Sequence, residues 1–307
     1  MIMKKVLLTG ATGFVGKNII EKLKNNYKVI GIGSKEYDLR DQLVCKRLIQ
    51  EIKPDVVVHA AGKVGGIGAN KENPATFMFD NLSMGTNIIE ASRACNIPKF
   101  ILLGTVCSYP KYTQVPFKEE DLWNGYPEET NAPYGIAKKS LMKLLEVYNQ
   151  QYGFKSVNLI PVNMYGPYDH FNLTTSHVIP ALILKIKKAI DNKEKNIIVW
   201  GTGEASREFL YAPNFADAVE LAIEKDVSPS PINIGTGKEI KISELVNTIC
   251  EIMGFNGEVI YDKTKPDGQP RRCLDIEKSK RLLNFEAQTS LKEGLTKTCD
   301  WFIKNCN

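Results

Sequence analysis

The stretch "LLTGATGFVGKNII" (residues 7–20) decides the fold. An apolar, strand-like run passes directly into an amphipathic helical one, with Gly10, Gly13 and Gly16 at the junction. Glycine there permits a tight turn and a close backbone approach. The N–H groups and dipole of the following helix suit a pyrophosphate. A glycine triplet alone is weak evidence, and a plain strand–helix turn is the competing reading; the flanking strand and helix favour a nucleotide site. Gly10, Thr12, Gly13, Phe14, Val15 and Gly16 are therefore the expected floor of that site.

Working outward, the first half alternates two patterns. "KKVLLTG", "YKVIGIG", "PDVVVHAAG", "KFILLG" and "SVNLIPV" read as strands, several too uniformly apolar to have a wet face. Between them "QLVCKRLIQEI", "NPATFMFDNLSMGTNIIEASRAC" and "APYGIAKKSLMKLLEVYNQQY" carry helical periodicity. Strand then helix, repeated, implies a doubly wound parallel sheet of Rossmann type, an α/β fold. After about residue 163 the rhythm changes to a long polar loop, shorter strands and more Pro and Gly. The expected division is a dinucleotide-binding domain over 1–163, with 195–226 returning to it. A smaller α/β substrate domain would take 164–194 and 227–307.

With 307 residues, 43% hydrophobic and 24% charged, the chain has ordinary globular composition and length for a real core. Its net charge of +5 is mild and its cations are scattered, which favours a small anionic ligand over nucleic acid. No apolar run approaches membrane length, and the opening one is too short for a signal peptide. Seven dispersed cysteines without a CxxC pair fit reduced thiols in a cytoplasmic setting. Three histidines without zinc-like spacing argue against a metal.

An NAD site usually ends its second strand on Asp or Glu, to hold the ribose 2′-OH. Here that strand runs into "GIGSKEYDLRD", with Gly33 and Ser34 at the place and Lys35 next. No carboxylate repels a 2′-phosphate there, so NADP is favoured; Asp38 and Leu39 are expected beside the adenine. Ala60, Ala61 and Pro161 close two further strands and are expected to line the same site. "PYGIAKKS" places Tyr134 and Lys138 four apart, on one helix face. An ammonium beside a phenol favours the phenolate and turns a poor acid–base group into a usable one. "GTVCSYP" (residues 104–110) follows another strand and offers the Thr105 hydroxyl and the Cys107 thiol.

"AAGKVGGIGANKENPATFMFDN", "GTVCSYPK", "ETNAPYGIAK", "PVNMYGP", "SHVIPAL", "IVWGTG", "REFLY" and "KPDGQPRR" follow in order along nearly the whole chain. Together with the glycine turn they resemble the extended short-chain dehydrogenase/reductase family and, within it, closely the GDP-L-fucose synthases. The resemblance implies a 3,5-epimerase and 4-reductase of GDP-4-keto-6-deoxy-D-mannose that uses NADP(H) and forms a homodimer. It gives Thr105, Tyr134 and Lys138 the Ser/Thr–Tyr–Lys roles and puts Cys107 and His177 on the two epimerisation positions. It also implies that Asn163 touches sugar or phosphate, with His177 and Asn163 beside the cofactor. Lys185, Trp200, Arg207 and Arg272 would hold the GDP end.

Three departures bear on the substrate. "GATGFVG" is closer to the general extended family, Val106 replaces a second hydroxyl, and "REFLYAPN" lacks a usual aspartate pair. They leave open a relative acting on another GDP-4-keto sugar, such as a heptose. A 4,6-dehydratase would have Asp-Glu where Val106 and Cys107 stand. A UDP-sugar 4-epimerase has no need of Cys107 with His177. A non-catalytic NADP-binding protein would not require the Thr105, Tyr134 and Lys138 set.

Overall fold

A computed structural model of the chain describes residues 3–173, 175–227, 229–265 and 267–306. The first half builds β1 (Lys5–Thr9), α1 (Phe14–Leu23), β2 (Lys28–Ile32), α2 (Gln42–Ile52), β3 (Val56–His59), α3 (Ile67–Glu72), α4 (Pro74–Ala94), β4 (Lys99–Leu103), α5 (Ala132–Tyr152) and β5 (Ser156–Pro161). The second half continues with β6 (Asn163–Tyr165), α6 (Val178–Asp191), β7 (Asn196–Trp200), β8 (Ser206–Tyr211), α7 (Ala212–Glu224), β9 (Ile232–Ile234), β10 (Glu239–Lys241), α8 (Ile242–Met253), β11 (Glu258–Asp262), α9 (Glu277–Leu283) and α10 (Leu291–Asn305).

The expected Rossmann-type architecture is present. A parallel six-stranded sheet has the order β2-β1-β3-β4-β5-β9. Val6, Leu7, Leu8, Val57, Val58, Ile101, Leu102 and Leu159 are wholly buried or nearly so, because helices cover both faces. α1 packs with α7, while α2, α4 and α5 lie side by side. The chain leaves β1 toward β2 on one side and returns to β3 on the other. That reversal opens a crevice beyond the carboxyl ends of β1 and β3.

A second, smaller layer holds the sheet β10-β8-β6, the parallel pair β11-β7, and the helices α6, α8 and α10. Its core is built from Tyr165, Ile183, Leu245, Val246, Ile249 and Leu295. The stretch 195–226, expected as one return to the first sheet, divides. β7 alternates buried Ile197 and Val199 with exposed Ile198 and Trp200, so one of its faces is wet. Such a strand does not suit a sheet covered on both sides, and it pairs with β11 instead. α7 does return, through Phe215, Val219, Ala222 and Ile223. From the expected substrate portion, β9 joins the edge of the large sheet beside β5, and Leu283 and Phe285 enter its core.

Only Val162 separates β5 from β6, and its N–H donates to Ile234 O at 3.1 Å. Strand ends of the large sheet and the start of the small one therefore meet at one place.

Candidate active site

The glycine turn is tight enough to exclude side chains. Gly10 has φ +70°, and a Cβ there would lie 2.7 Å from Ala61 N; one on Gly16 would lie 2.2 Å from Gly10 O. α1 starts after Gly13 with no side-chain cap, so its first-turn N–H groups keep their capacity for an anion. Thr12 is exposed between the glycines, and Phe14 and Val15 wall the cleft above them. This bare, uncapped cradle fits a dinucleotide pyrophosphate. Ala60 and Pro161 line the same cleft, and Ala61 N donates to Thr9 Oγ1 at 3.1 Å.

At the end of β2, Ser34 and Lys35 are exposed and, among the described residues, Lys35 has no carboxylate partner. Asp38 is engaged by Arg40, with Oδ2 2.8 Å from Nη2, which holds its carboxyl at about 2. Leu39 is buried against the core, its carbonyl accepting from Cys45 Sγ and Asn87 Nδ2. Arg40, which also reaches Asp80 at 3.4 Å, is a cation that the reading of "SKEYDLRD" passed over.

The cleft has a volume of about 400 Å³ and brings Thr105, Cys107, Tyr134, Lys138, Asn163 and His177 together. Local sequence explains the first four. After β4, Thr105 Oγ1 accepts from Cys107 N at 3.2 Å and starts a 3-10 turn over Val106–Ser108. α5 presses against this turn at Gly135, where a Cβ would lie 2.3 Å from Cys107 O; Ser108 Oγ donates to Gly135 O at 2.9 Å. The contact sets Tyr134 beside Thr105 and Cys107. Burial raises the Tyr134 phenol above its ordinary value, the nearby Cys107 adds to this, and a hydrogen bond from Thr105 works the other way. Lys138, one turn on, is 3% exposed; Nζ donates to Leu103 O at 3.0 Å, and burial lowers its pKa to about 8. Burial rather than a neighbouring ammonium thus dominates the phenol here.

His177 precedes α6 and closes the cleft from the small layer. His177 is exposed at the rim of the cleft, and desolvation by the atoms packed around it lowers its pKa below 6.5. His177, Asn163 and Met164 also border an adjoining pocket of about 80 Å³ that reaches Arg207. Asn163 Nδ2 donates to Glu208 O at 3.1 Å. Arg207 is lowered to about 10 by burial and by the like charge of Arg272. Its guanidinium donates to carbonyls, Ser206 O at 2.7 Å and Asp267 O at 3.3 Å. Arg272 binds Gln269 Oε1 at 3.0 and 3.2 Å and points Nη1 at Cys107 Sγ, 4.0 Å away. Among the described residues, neither guanidinium has a carboxylate ion pair, which leaves the two charges for an anion.

Trp200 and Lys185 lie outside the cleft lining. Trp200 is 66% exposed under Lys265, and Lys185 Nζ donates to Ile198 O. Asn70, Asn131, Val64 and Gln269 line or brace the site and were not singled out from the sequence. The signal for them lay in "AAGKVGGIGANKENP", "ETNAPYG" and "KPDGQPRR", where three amides and a valine carry no acid–base group to draw notice. Among the described residues there is no metal-holding cluster and no helix long and apolar enough to cross a membrane.

Residues 6–235 match the NAD dependent epimerase/dehydratase family. The chain is 39% identical over 305 residues to a GDP-L-fucose synthase of Sinorhizobium fredii, covering 98% of this chain and 96% of that one. It is equally 39% identical over 309 residues to a GDP-L-colitose synthase of Yersinia pseudotuberculosis, covering 99% of both. A solved GDP-mannoheptose C4 reductase from Campylobacter jejuni with NADP bound superposes with a TM-score of 0.89, at 27% identity over 98% of each chain. A full-length match of this quality, on a cleft of this construction, places the chain in the NAD dependent epimerase/dehydratase family of enzymes, alongside the GDP-L-fucose synthases.

Proposed function

We propose that the protein is an NADP(H)-dependent enzyme that inverts C3 and C5 of GDP-4-keto-6-deoxy-D-mannose and reduces C4, giving GDP-L-fucose. The observation that carries this reading is the convergence of Thr105, Cys107 and Tyr134 on one wall of a cleft closed by His177. A plain reductase has work for the hydroxyls and none for the thiol and the imidazole.

The glycine turn, Ser34 and Lys35 would hold the cofactor, and Lys138 its ribose. When bound, the cofactor supplies a hydride at C4. Thr105 and Tyr134 hydrogen-bond the C4 carbonyl oxygen, which acidifies the C–H bonds on either side. Cys107 takes a proton from C3 or C5, the electron pair passes to the carbonyl oxygen, and His177 returns a proton to the carbon from the opposite face. In the reduction, the phenolic proton of Tyr134 goes to that same oxygen. Arg207 and Arg272 hold the diphosphate, and Trp200 and Lys185 stand toward the nucleoside end.

Equal identity to the GDP-L-colitose synthase, and the likeness to a GDP-mannoheptose C4 reductase, favour a second reading: C4 reduction, with or without the epimerisations, of a related GDP-4-keto sugar, heptose included. Product analysis by NMR, with NADPH and GDP-4-keto-6-deoxymannose in deuterated water, separates them. GDP-L-fucose labelled at C3 and C5 supports the first; a C4-reduced sugar without inversion defeats it. Cys107→Ser should abolish the label, and label entering at the wild-type rate would remove Cys107 as the base. We further propose a cytoplasmic homodimer paired through α4 and α5, where Met78, Phe79 and Tyr152 are exposed.

A further inference from the structure

Glu208 is a wholly buried carboxylate that, among the described residues, makes no ion pair, and it has no part in the chemistry above. Oε1 accepts from the N–H groups of Thr236 and of Gly237 (2.8 Å) and from Thr236 Oγ1 at 3.3 Å. Oε2 accepts from Leu274 N at 2.7 Å. Burial pushes its pKa up, and these four donors pull it down. Gly235 leaves the room for it, since a Cβ there would lie 2.2 Å from Oε1. The backbone joins in: Glu208 N donates to Arg272 O at 3.1 Å, and Ser206 N to Pro270 O at 2.9 Å. One side chain thus ties three segments together, the strand that carries Arg207, the turn after β9, and the segment that carries Arg272.

We propose that Glu208 is a positioning residue that fixes the two guanidinium groups of Arg207 and Arg272 at the separation a diphosphate requires. The inference rests on the reading of those arginines as the diphosphate holders. All four partners of the carboxylate are donors, so an amide in its place turns an NH2 toward at least one N–H and releases that tie. Arg207 and Arg272 repel each other, and a slackened tie lets them part before the ligand arrives.

The test is Glu208→Gln, read by calorimetric GDP binding, NADPH binding and steady-state kinetics. GDP affinity should fall about 10-fold and KM for the GDP-4-keto sugar rise in step, with kcat at saturation and NADPH affinity within about 2-fold of wild type. A merely structural lesion would lower kcat and NADPH affinity together with GDP affinity. In an Arg207→Gln/Arg272→Gln background the same substitution should add less than about 2-fold. If Glu208→Gln does not fold, Thr236→Val removes one donor and should weaken GDP by about 3-fold. Unchanged GDP affinity in a folded variant, a parallel loss of NADPH affinity and kcat, or full additivity with the arginine substitutions overturns the proposal. Should Arg207→Gln and Arg272→Gln leave GDP affinity untouched, the diphosphate reading falls, and this inference with it.

Discussion

Burial gives two residues in the cleft distinctive titrations. His177 lies below its ordinary 6.5, so its proton-donating imidazolium form is favoured toward acid pH. Proton exchange at the sugar should therefore slow as the pH rises through a midpoint under 6.5, and His177→Asn should remove that limb; a limb that survives the substitution assigns it to another group. Lys138 is held at about 8 against 10.5. The unfolded chain keeps this proton up to about 10.5 and the folded one only up to about 8. Between the two, the unfolded state binds more protons, so raising the pH stabilises the fold. Relative to Lys138→Met, wild-type unfolding free energy should rise by about 3 kcal/mol from pH 8 to 10.5. Parallel urea titrations of the two proteins check this, and a constant difference across the window contradicts it.

At the scale of elements, the site depends on how closely α5 approaches the turn after β4. Gly135→Ala puts a methyl against Cys107 O, which drives the helix off and moves Tyr134 from Thr105. A displacement of about 1 Å at a reacting group costs on the order of 100-fold in rate. We expect kcat to fall by that order and NADPH affinity to fall less, because the glycine turn is untouched and only the Lys138 contact moves with α5; equal kcat would show that the helix yields without moving the phenol. This contact also marks what the sequence made legible. "APYGIAKK" disclosed a helix and which face bears Tyr134 and Lys138, because periodicity is local. It could not disclose that Gly135 rests on a carbonyl 28 residues earlier. The five strands and the glycine turn were readable for the same local reason. The partner of "NIIVWG" was not, since its alternation announces a half-wet strand without naming the neighbour. The burial of Leu39, whose carbonyl accepts from Asn87 on α4, was not legible either, because it arises only once α4 packs beside that segment.

For the whole molecule, the arrangement of helices makes a statement about assembly. α4 and α5 cover one flank of the large sheet, and Phe79 stands 64% exposed on it. Light scattering should report twice the monomer mass, and Phe79→Arg should return the protein to a monomer with its fold intact; a wild-type monomer ends that part of the reading. The passage through Val162 has a different bearing. With a single residue between two sheets, and that residue pinned to Ile234, the corner where they meet has no slack to act as a hinge. Breathing that admits a nucleotide sugar and lets it go then falls to the rims, residues 166–173 and 267–271, while the corner stays still. Variation in guest can then accumulate along those rims without disturbing the reactive wall.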